Sequence, residues 1–125
     1  MSELRRRQDL FAQLLPALLI RAQALGFRMA LGETFRPPET AALYAAQGRG
    51  AKNSLHCLKL AVDLFLFRRA RDGRETYLTR TEEYAALGAY WKSLDPLCRW
   101  GGDFPRRKGV VPDGNHFSIT YQDRA

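Results

Sequence analysis

The architecture of the chain follows from one segment, Ser54-Leu55-His56-Cys57-Leu58-Lys59-Leu60-Ala61-Val62-Asp63-Leu64-Phe65-Leu66-Phe67. It is the richest run of strand-forming residues, and from Ala61 onward its side chains alternate between two sets, Val62, Leu64 and Leu66 against Asp63, Phe65 and Phe67. The alternation predicts a strand with both faces largely covered. Asp63 stands out because a buried carboxylate costs several kcal/mol unless it is paired, hydrogen-bonded or bound to a metal. Asp63 therefore marks a candidate functional position.

Upstream of this strand the sequence predicts two helices and one strand. Apolar residues recur every three or four positions through residue 25, which is typical of a helix with one buried stripe, and Pro16 should kink this helix or begin a new one. Phe27 to Phe35 is predicted as a strand interrupted at Gly32. Glu39 to Gln47 is predicted as a helix, followed by a polar loop through Asn53.

Downstream, the sequence predicts a returning strand, a helix and a final strand. The signals are a turn at Arg71 to Arg74, a strand at Glu75 to Leu78, a capping box at Thr79 to Glu82, a helix whose apolar face runs from Tyr84 to Leu97, an irregular or extended path at Trp100 to Phe104, a loop at Arg106 to Gly114, and a strand at Phe117 to Ile119. Together these elements predict one α+β domain over residues 1–125, in which residues 1–25 form an N-terminal helical segment. Helices should pack on one side of a small, mainly antiparallel sheet.

The composition limits the class of protein. A chain of 125 residues can bury one core but not two, and 46% hydrophobic with 26% charged residues excludes a disordered or fibrous protein. The formal net charge of +7 suits a nucleic-acid binder, a protein attracted to an anionic polymer such as a cell wall, or an ordinary basic surface. No nucleic-acid-binding motif occurs, so we expect no nucleic-acid partner, and the other two interpretations stay open.

The N-terminus has some features of a secretion signal. Arg5, Arg6 and Arg7 precede a leucine-rich run, and Ala22 to Ala24 resembles a cleavage site. The helical spacing of the apolar residues nevertheless favours a folded helix, and no apolar run approaches the ~20 residues of a membrane span. We therefore expect a soluble protein, without a signal peptide, that is made in the cytoplasm.

Three residues could together bind a metal. His56 and Asp63 are seven positions apart, so their side chains converge only if residues 57–60 form a turn or a bulge. His116 begins the last predicted strand, which could pair beside the Asp63 strand. Two imidazoles and one carboxylate are typical of catalytic zinc. Asp113, three residues before His116, could serve as the general base, with Gly114 allowing a sharp turn between them.

Each of these residues also has a structural interpretation. A single histidine is more often a hydrogen-bonded structural residue, and Asp113 after Pro112 suits a turn. Cys57 beside His56 could be a thiolate ligand or nucleophile, although a small core thiol is favoured, and Cys57 and Cys98 are both predicted to be reduced and buried. The residues alone leave the metal site and the structural interpretation equally open.

Three segments resemble a known family: residues 32–48 (GETFRPPETAALYAAQG), 54–63 (SLHCLKLAVD) and 113–117 (DGNHF). They are similar to zinc peptidases that include D-alanyl-D-alanine carboxypeptidases and the L-alanyl-D-glutamate endopeptidases of phage endolysins. The resemblance implies the α+β fold of the D-Ala-D-Ala peptidase and hedgehog group and a single Zn²⁺ bound by His56, Asp63 and His116. It implies that Asp113 is the general acid and base, that Arg36 holds the substrate and steadies the oxyanion, and that Ser54 lies near the first ligand or binds substrate.

Structural alternatives remain for two of these residues, and one position departs from the family. Arg36 could instead form an ion pair with Glu39, and Ser54 could cap a loop. Lys59 stands where the family usually has glycine, so the turn there must adopt a backbone that lysine tolerates.

The resemblance implies a monomeric hydrolase of the peptidoglycan stem peptide, of the L-alanyl-D-glutamate endopeptidase type found in phage endolysins. The alternatives are a D-alanyl-D-alanine carboxypeptidase, in which Arg36 would hold the substrate carboxylate, and a catalytically silent wall-binding module. An endolysin would act on the wall after release through a membrane pore.

Overall fold

A computed structural model describes residues 1–48, 54–107 and 110–125 of the chain. Its helices and strands, in chain order, are α1 (Glu3–Ala24), β1 (Arg28–Leu31), α2 (Pro38–Ala46), β2 (Ala61–Arg69), β3 (Glu75–Tyr77), α3 (Ala85–Leu94), β4 (Cys98–Trp100) and β5 (His116–Ile119). Short 3₁₀ turns occur at Leu55–Leu58, Thr81–Tyr84 and Gly101–Asp103. The predictions for residues 49–53, in the polar loop, and for residues 108–109, in the later loop, lie outside the described residues.

The strands form one antiparallel sheet in the order β1-β2-β5-β4, with β3 also paired to β2. In the register between β2 and β5, Asp63 lies opposite His116. On the other side of β2, Leu31 lies opposite Leu64. The α+β architecture predicted from the sequence is confirmed, and its longest strand places Asp63 between two neighbouring strands.

The hydrophobic core lies on one face of the sheet, between β2, β5 and the helices α1 and α3. Val62, Leu64 and Leu66 of β2 are fully buried on this face. The Trp91 ring of α3 packs edge-on against Phe11 of α1, with centroids 5.9 Å apart. The other face of β2 presents Asp63, Phe65 and Phe67, which are only half-buried. The alternation in the sequence therefore separates an apolar core from an open face on which chemistry can occur.

Two elements differ in length from their predictions. The strand predicted over Phe27 to Phe35 is restricted to Arg28–Leu31, although pairing with β2 continues through the bond from the Gly32 N–H to the Asp63 carbonyl (2.7 Å). The helix α1 continues through Pro16 as one element, so the interpretation of Pro16 as a new start is wrong. The described helices include none that is long and apolar enough to cross a membrane.

The start of the third helix differs in detail from the prediction. The N-cap residue of this turn is Arg80 and not the predicted Thr79. The Arg80 N–H donates to the Glu83 carboxylate at 3.0 Å. One 3₁₀ turn, Thr81–Tyr84, then leads into α3. The strand β4 at Cys98–Trp100 ends where the extended path was expected to begin. With only 3 residues, β4 is too short for its sequence to show the alternation of a strand.

Candidate metal centre

His56 is placed by a tight turn that joins it to the central strand. The Ser54 hydroxyl accepts the His56 N–H at 3.1 Å and caps the 3₁₀ turn Leu55–Leu58. Lys59 then adopts a left-handed conformation (φ 60°, ψ 36°), which redirects the chain into β2. The turn required for His56 and Asp63 to converge is confirmed. Glycine is favoured at a left-handed residue, so this conformation agrees with the glycine that the peptidases resembled by the sequence usually have at this position.

The buried His56 ring is oriented so that its Nε2 faces Asp63. Its Nδ1 lies 3.4 Å from the Thr34 carbonyl oxygen, an acceptor for an Nδ1 proton. In that tautomer the Nε2 lone pair is free, and Nε2 lies 3.3 Å from the Asp63 Oδ1. The carbonyl thus prepares the ring to act as a ligand.

His116 approaches the same carboxylate from the neighbouring strand. It is the first residue of β5 and pairs opposite Asp63, so both side chains project from the open face of the sheet. Its Nδ1 lies 3.7 Å from the Asp63 Oδ1, and its ring centroid is 5.2 Å from that of His56. One potential ligand atom from each of the three residues lies within 4.8 Å of the others.

The three residues fit a zinc ion. Tetrahedral Zn²⁺ with ligand distances near 2.0 Å places ligand atoms about 3.3 Å from one another, which is close to the 3.3 and 3.7 Å measured from Asp63 Oδ1 to the two imidazoles. The Asp63 Oδ1 is buried and has no hydrogen-bond partner among the described residues. A buried carboxylate oxygen of this kind is costly unless a cation satisfies it. Two imidazoles and a carboxylate are also the donors that zinc prefers.

The two carboxylates near this cluster have opposite pKa shifts. Burial alone would raise the pKa of Asp63, but the neighbouring His116 and His56 outweigh burial and hold the pKa well below its usual range. Burial, and then the negative charge of Asp63, raise the pKa of Asp113. Asp63 is therefore suited to remain ionised as a ligand, whereas Asp113 is suited to take up and release a proton.

Arg36 lies at the edge of the same cleft, held by Glu33, an acidic residue that was not predicted to be part of the site. Its Nε donates to the Glu33 carboxylate at 2.5 Å, and its guanidinium lies 5.3 Å from the Tyr44 ring centroid. The sequence allows Glu39 as an alternative partner of Arg36, but the structure pairs Arg36 with Glu33. The Glu33 Oε1 also lies 3.8 Å from the His56 Nδ1. Glu33 stands three residues before Arg36 and Glu39 three residues after it, so the spacing in the sequence indicates either acidic residue as a partner.

The turn from Asp113 to His116 depends on residues that carry no site signal in the sequence. Asn115 donates from Nδ2 to the Leu64 carbonyl and to the Tyr84 hydroxyl, both at 2.9 Å. The Tyr84 hydroxyl in turn donates to the Leu78 carbonyl at 2.8 Å. The Asn115 bonds, which are part-buried, join the turn to the strand that carries Asp63.

Two glycines allow the close packing of this turn. A Cβ on Gly101 would lie 2.1 Å from the Asp113 carbonyl oxygen and 2.7 Å from the His116 Cβ. A Cβ on Gly114 would lie 2.9 Å from the Thr81 Cα. The sharp turn predicted at Gly114 is present, since the His116 N–H donates to the Asp113 carbonyl at 3.2 Å, but Gly114 has no positive φ, so glycine is needed there for space.

All six predicted site residues line one open cleft of about 820 Å³, namely Arg36, Ser54, His56, Asp63, Asp113 and His116. Cys57 is a free, half-buried thiol, so its predicted burial is only partly correct. Cys98 is free and fully buried as expected, and burial, with Asp95 contributing less, raises its pKa to about 12. The predicted residues are therefore close neighbours in the fold.

The fold has counterparts among solved structures. No protein-family model and no curated protein sequence matches the chain. The L-Ala D-Glu endopeptidase ChiX of Serratia marcescens is 21% identical, with a TM-score of 0.60 over 94% of this chain and 89% of that one. The vancomycin resistance D,D-pentapeptidase VanY, solved as an E175A mutant from a VanB-type cassette with Zn(II), is 21% identical, with a TM-score of 0.52 over 87% of this chain and 70% of that one. At this level of identity the comparisons establish a shared fold.

Proposed function

We propose that this chain is a zinc-dependent peptidase that hydrolyses an amide bond in the peptidoglycan stem peptide. The observation that carries the proposal is the buried Asp63 oxygen, which lacks a hydrogen bond and faces an imidazole on each side. The fold shared with two peptidases, one of them solved with zinc, supports the same chemistry. The closer fit to the L-Ala D-Glu endopeptidase favours cleavage between L-alanine and D-glutamate.

His56, Asp63 and His116 would hold the zinc. When bound, zinc supplies a Lewis acid that polarises the substrate carbonyl and makes water more acidic. Asp113 accepts a proton from the attacking water and then passes it to the departing amine, a role that its raised pKa favours. The Asp113 carboxylate accepts the Asn115 N–H at 3.2 Å, which keeps the side chain at the turn.

Arg36 and Ser54 complete the arrangement. Glu33 holds the Nε edge of the Arg36 guanidinium, which orients the group beside the cleft. The remaining guanidinium N–H groups can donate to the carbonyl oxygen as its negative charge grows. The Ser54 hydroxyl supports the His56 backbone and also borders the cleft, where it can contact substrate.

A second candidate function is removal of a terminal D-alanine. The shared fold with the D,D-pentapeptidase favours it, and the same catalytic residues would serve. A silent wall-binding module would retain the cleft without turnover. The proposal further extends to a monomeric phage endolysin that is made in the cytoplasm and released to the wall, with the sequence resemblance as its support.

Zinc analysis combined with defined stem peptides tests the proposed function. We expect one zinc per chain, chelator-sensitive hydrolysis and release of L-alanine-terminated fragments, identified by mass spectrometry. His56→Ala should lose the metal, whereas Asp113→Asn should keep it and lose about 10²- to 10⁴-fold in kcat. Asp72→Asn, in the exposed turn after β2, is the matched control and should change neither property.

The outcomes separate the candidates. Release of only the terminal D-alanine would replace the endopeptidase by the carboxypeptidase. Zinc binding without hydrolysis of any stem peptide would favour the wall-binding module. A purified chain without zinc, and without hydrolysis after zinc is added, would contradict the metallopeptidase altogether.

A further inference from the structure

The cleft contains a second arginine that the proposed mechanism does not use. Arg124 borders the same cavity as His56, Asp113 and Arg36. It lies 88 positions beyond Arg36 in the chain and reaches the cleft only because the chain turns back after β5. The family resemblance of the sequence assigns no role to Arg124.

The two arginines differ in their partners. The Arg36 charge is compensated by Glu33 at 2.5 Å. Arg124 donates from one terminal nitrogen to the neutral side-chain oxygen of Gln122 at 3.4 Å. Within residues 1–48, 54–107 and 110–125, no carboxylate lies within 4 Å of its guanidinium. Arg124 thus brings an uncompensated positive charge to the cleft.

A tight hairpin holds Arg124 in this position. Tyr121 and Arg124 are paired through both backbone bonds, and the two residues between them, Gln122 and Asp123, have φ of 52° and 61°. Two consecutive left-handed residues are typical of a type I′ turn, which usually contains glycine or asparagine. The Thr120 hydroxyl also donates to the Arg124 carbonyl at 2.5 Å.

The base of this hairpin is joined to the rest of the fold on two sides. The Thr120 N–H donates to the Leu97 carbonyl at 2.9 Å. The Arg7 guanidinium of α1 donates to the Thr120 carbonyl. The hairpin that carries Arg124 is therefore anchored to the sheet and to a helix, and its rare backbone conformation is maintained by these contacts.

From this arrangement we infer that Arg124 binds a free carboxylate of the substrate and sets the preference for an acidic residue beside the cleaved bond. The inference rests on the proposed function and deepens it. In an L-alanyl-D-glutamate bond the D-glutamate has two carboxyl groups, one of which continues the chain while the other stays free. A guanidinium without a counter-ion suits that group, because its parallel N–H donors match the two carboxylate oxygens.

Two peptides that differ in one group test the inference. One has the free carboxylate on the residue after the cleaved bond, and the other has a carboxamide there. We expect the zinc-loaded protein to prefer the carboxylate. Arg124→Gln should raise KM for the acidic peptide about tenfold, with the effect on KM rather than on kcat and little change for the carboxamide peptide. Arg124→Lys should restore part of the preference.

A matched control removes the same charge elsewhere. Arg74→Gln changes an arginine in the exposed turn after β2, whose side chain is 88% accessible. This turn lies about 20 Å from Asp63 along the strand. If loss of net charge alone weakened binding of the acidic peptide, Arg74→Gln would have the same effect as Arg124→Gln, and the inference would be overturned.

Calorimetric titration of the zinc-loaded Asp113→Asn protein measures peptide binding without turnover. Tighter binding of the acidic peptide that disappears when Arg124→Gln is added supports the inference, even if the unmodified protein hydrolyses neither peptide and the proposed function fails. Equal binding of both peptides, or an equal loss for both in Arg124→Gln, overturns the inference even if hydrolysis is observed.

Discussion

The two histidines of the candidate centre lie in turns that are built differently. The His116 turn, residues 113–116, is held by side-chain bonds to distant elements, through Asn115 to the Leu64 carbonyl and to the Tyr84 hydroxyl. The His56 turn, residues 55–59, is held by the Ser54 cap and the left-handed Lys59, with the Gln8 side chain donating to the Leu58 carbonyl and the Arg36 N–H to the His56 carbonyl. The His116 turn thus depends on a network through the buried Tyr84 hydroxyl, whereas the His56 turn combines a local cap with single bonds to α1 and to the segment after β1.

This difference predicts how the two turns respond to substitution. Removing the buried Tyr84 hydroxyl, which supports the His116 turn, leaves backbone groups without partners in the core and destabilises the fold. Removing the Ser54 cap of the His56 turn frees a single, part-buried backbone N–H. The following variants are compared as metal-free proteins by denaturant unfolding, so that zinc does not mask the difference.

Gly101→Ala should have the largest effect, because its Cβ would collide with the backbone of the His116 turn. We expect the free energy of unfolding to fall by about 3 kcal/mol, and zinc affinity to fall at least about tenfold in a chelator competition. Gly73→Ala, at a left-handed glycine with open space around it, shows what backbone strain costs without a collision and should leave zinc affinity unchanged. Normal zinc affinity in Gly101→Ala would show that the His116 turn is not tightly fixed.

Tyr84→Phe should have the next largest effect. The lost hydroxyl accepts the Leu66 N–H at 3.0 Å and the Asn115 side chain, and it donates to the Leu78 carbonyl. We expect a loss of about 2 kcal/mol in the free energy of unfolding. The exposed ring of Tyr77 offers a control, since Tyr77→Phe should change stability by less than about 0.5 kcal/mol. Equal losses in the two variants would contradict the buried network.

Ser54→Ala should cost about 1 kcal/mol, because it removes a single N-terminal cap from the His56 turn. Ser54→Thr keeps a hydroxyl and should recover most of the loss. If Ser54→Ala destabilised the protein as much as Tyr84→Phe, the contrast between the two turns would disappear.

Lys59→Gly should have the smallest effect and the opposite sign. Glycine removes the left-handed strain at φ 60°, but it also removes the contact of the ammonium with the Phe35 ring, at 5.4 Å. We expect a net gain of about 0.5 kcal/mol, measured as a higher denaturant midpoint. Lys59→Ala keeps the left-handed strain and loses the ring contact, so its free energy of unfolding should fall. A rise in that variant would show that backbone strain does not explain the gain expected for Lys59→Gly.

The sequence predicts much of this site because its signals are local. An aspartate inside an apolar strand indicates a site, and the need for a turn at 57–60 follows from the spacing of His56 and Asp63 alone. The pairing of the last strand beside Asp63 is confirmed by the register with His116. These predictions need only the period of a strand and the cost of a buried charge.

The remainder depends on contacts between residues far apart in the chain. Gly101 and Asn115 support the site through contacts with residues elsewhere in the fold, and neither belongs to a recognisable sequence motif. The left-handed pair Gln122 and Asp123 lacks the glycine that would identify a tight hairpin, so the position of Arg124 has no sequence signal. The roles of these residues follow from the three-dimensional fold and not from a local pattern in the sequence.

The alternation of β2 also affects how the chain avoids misfolding. Because neighbouring residues of a strand point to opposite faces, a slip of one position between β2 and β5 would turn Asp63 toward the buried core and expose its apolar neighbours. An unpaired carboxylate in that environment would cost several kcal/mol. Asp63 therefore penalises a slip by any odd number of positions between β2 and β5, so that the residue that we propose binds zinc also helps to keep the apolar face of β2 toward the core before any metal arrives.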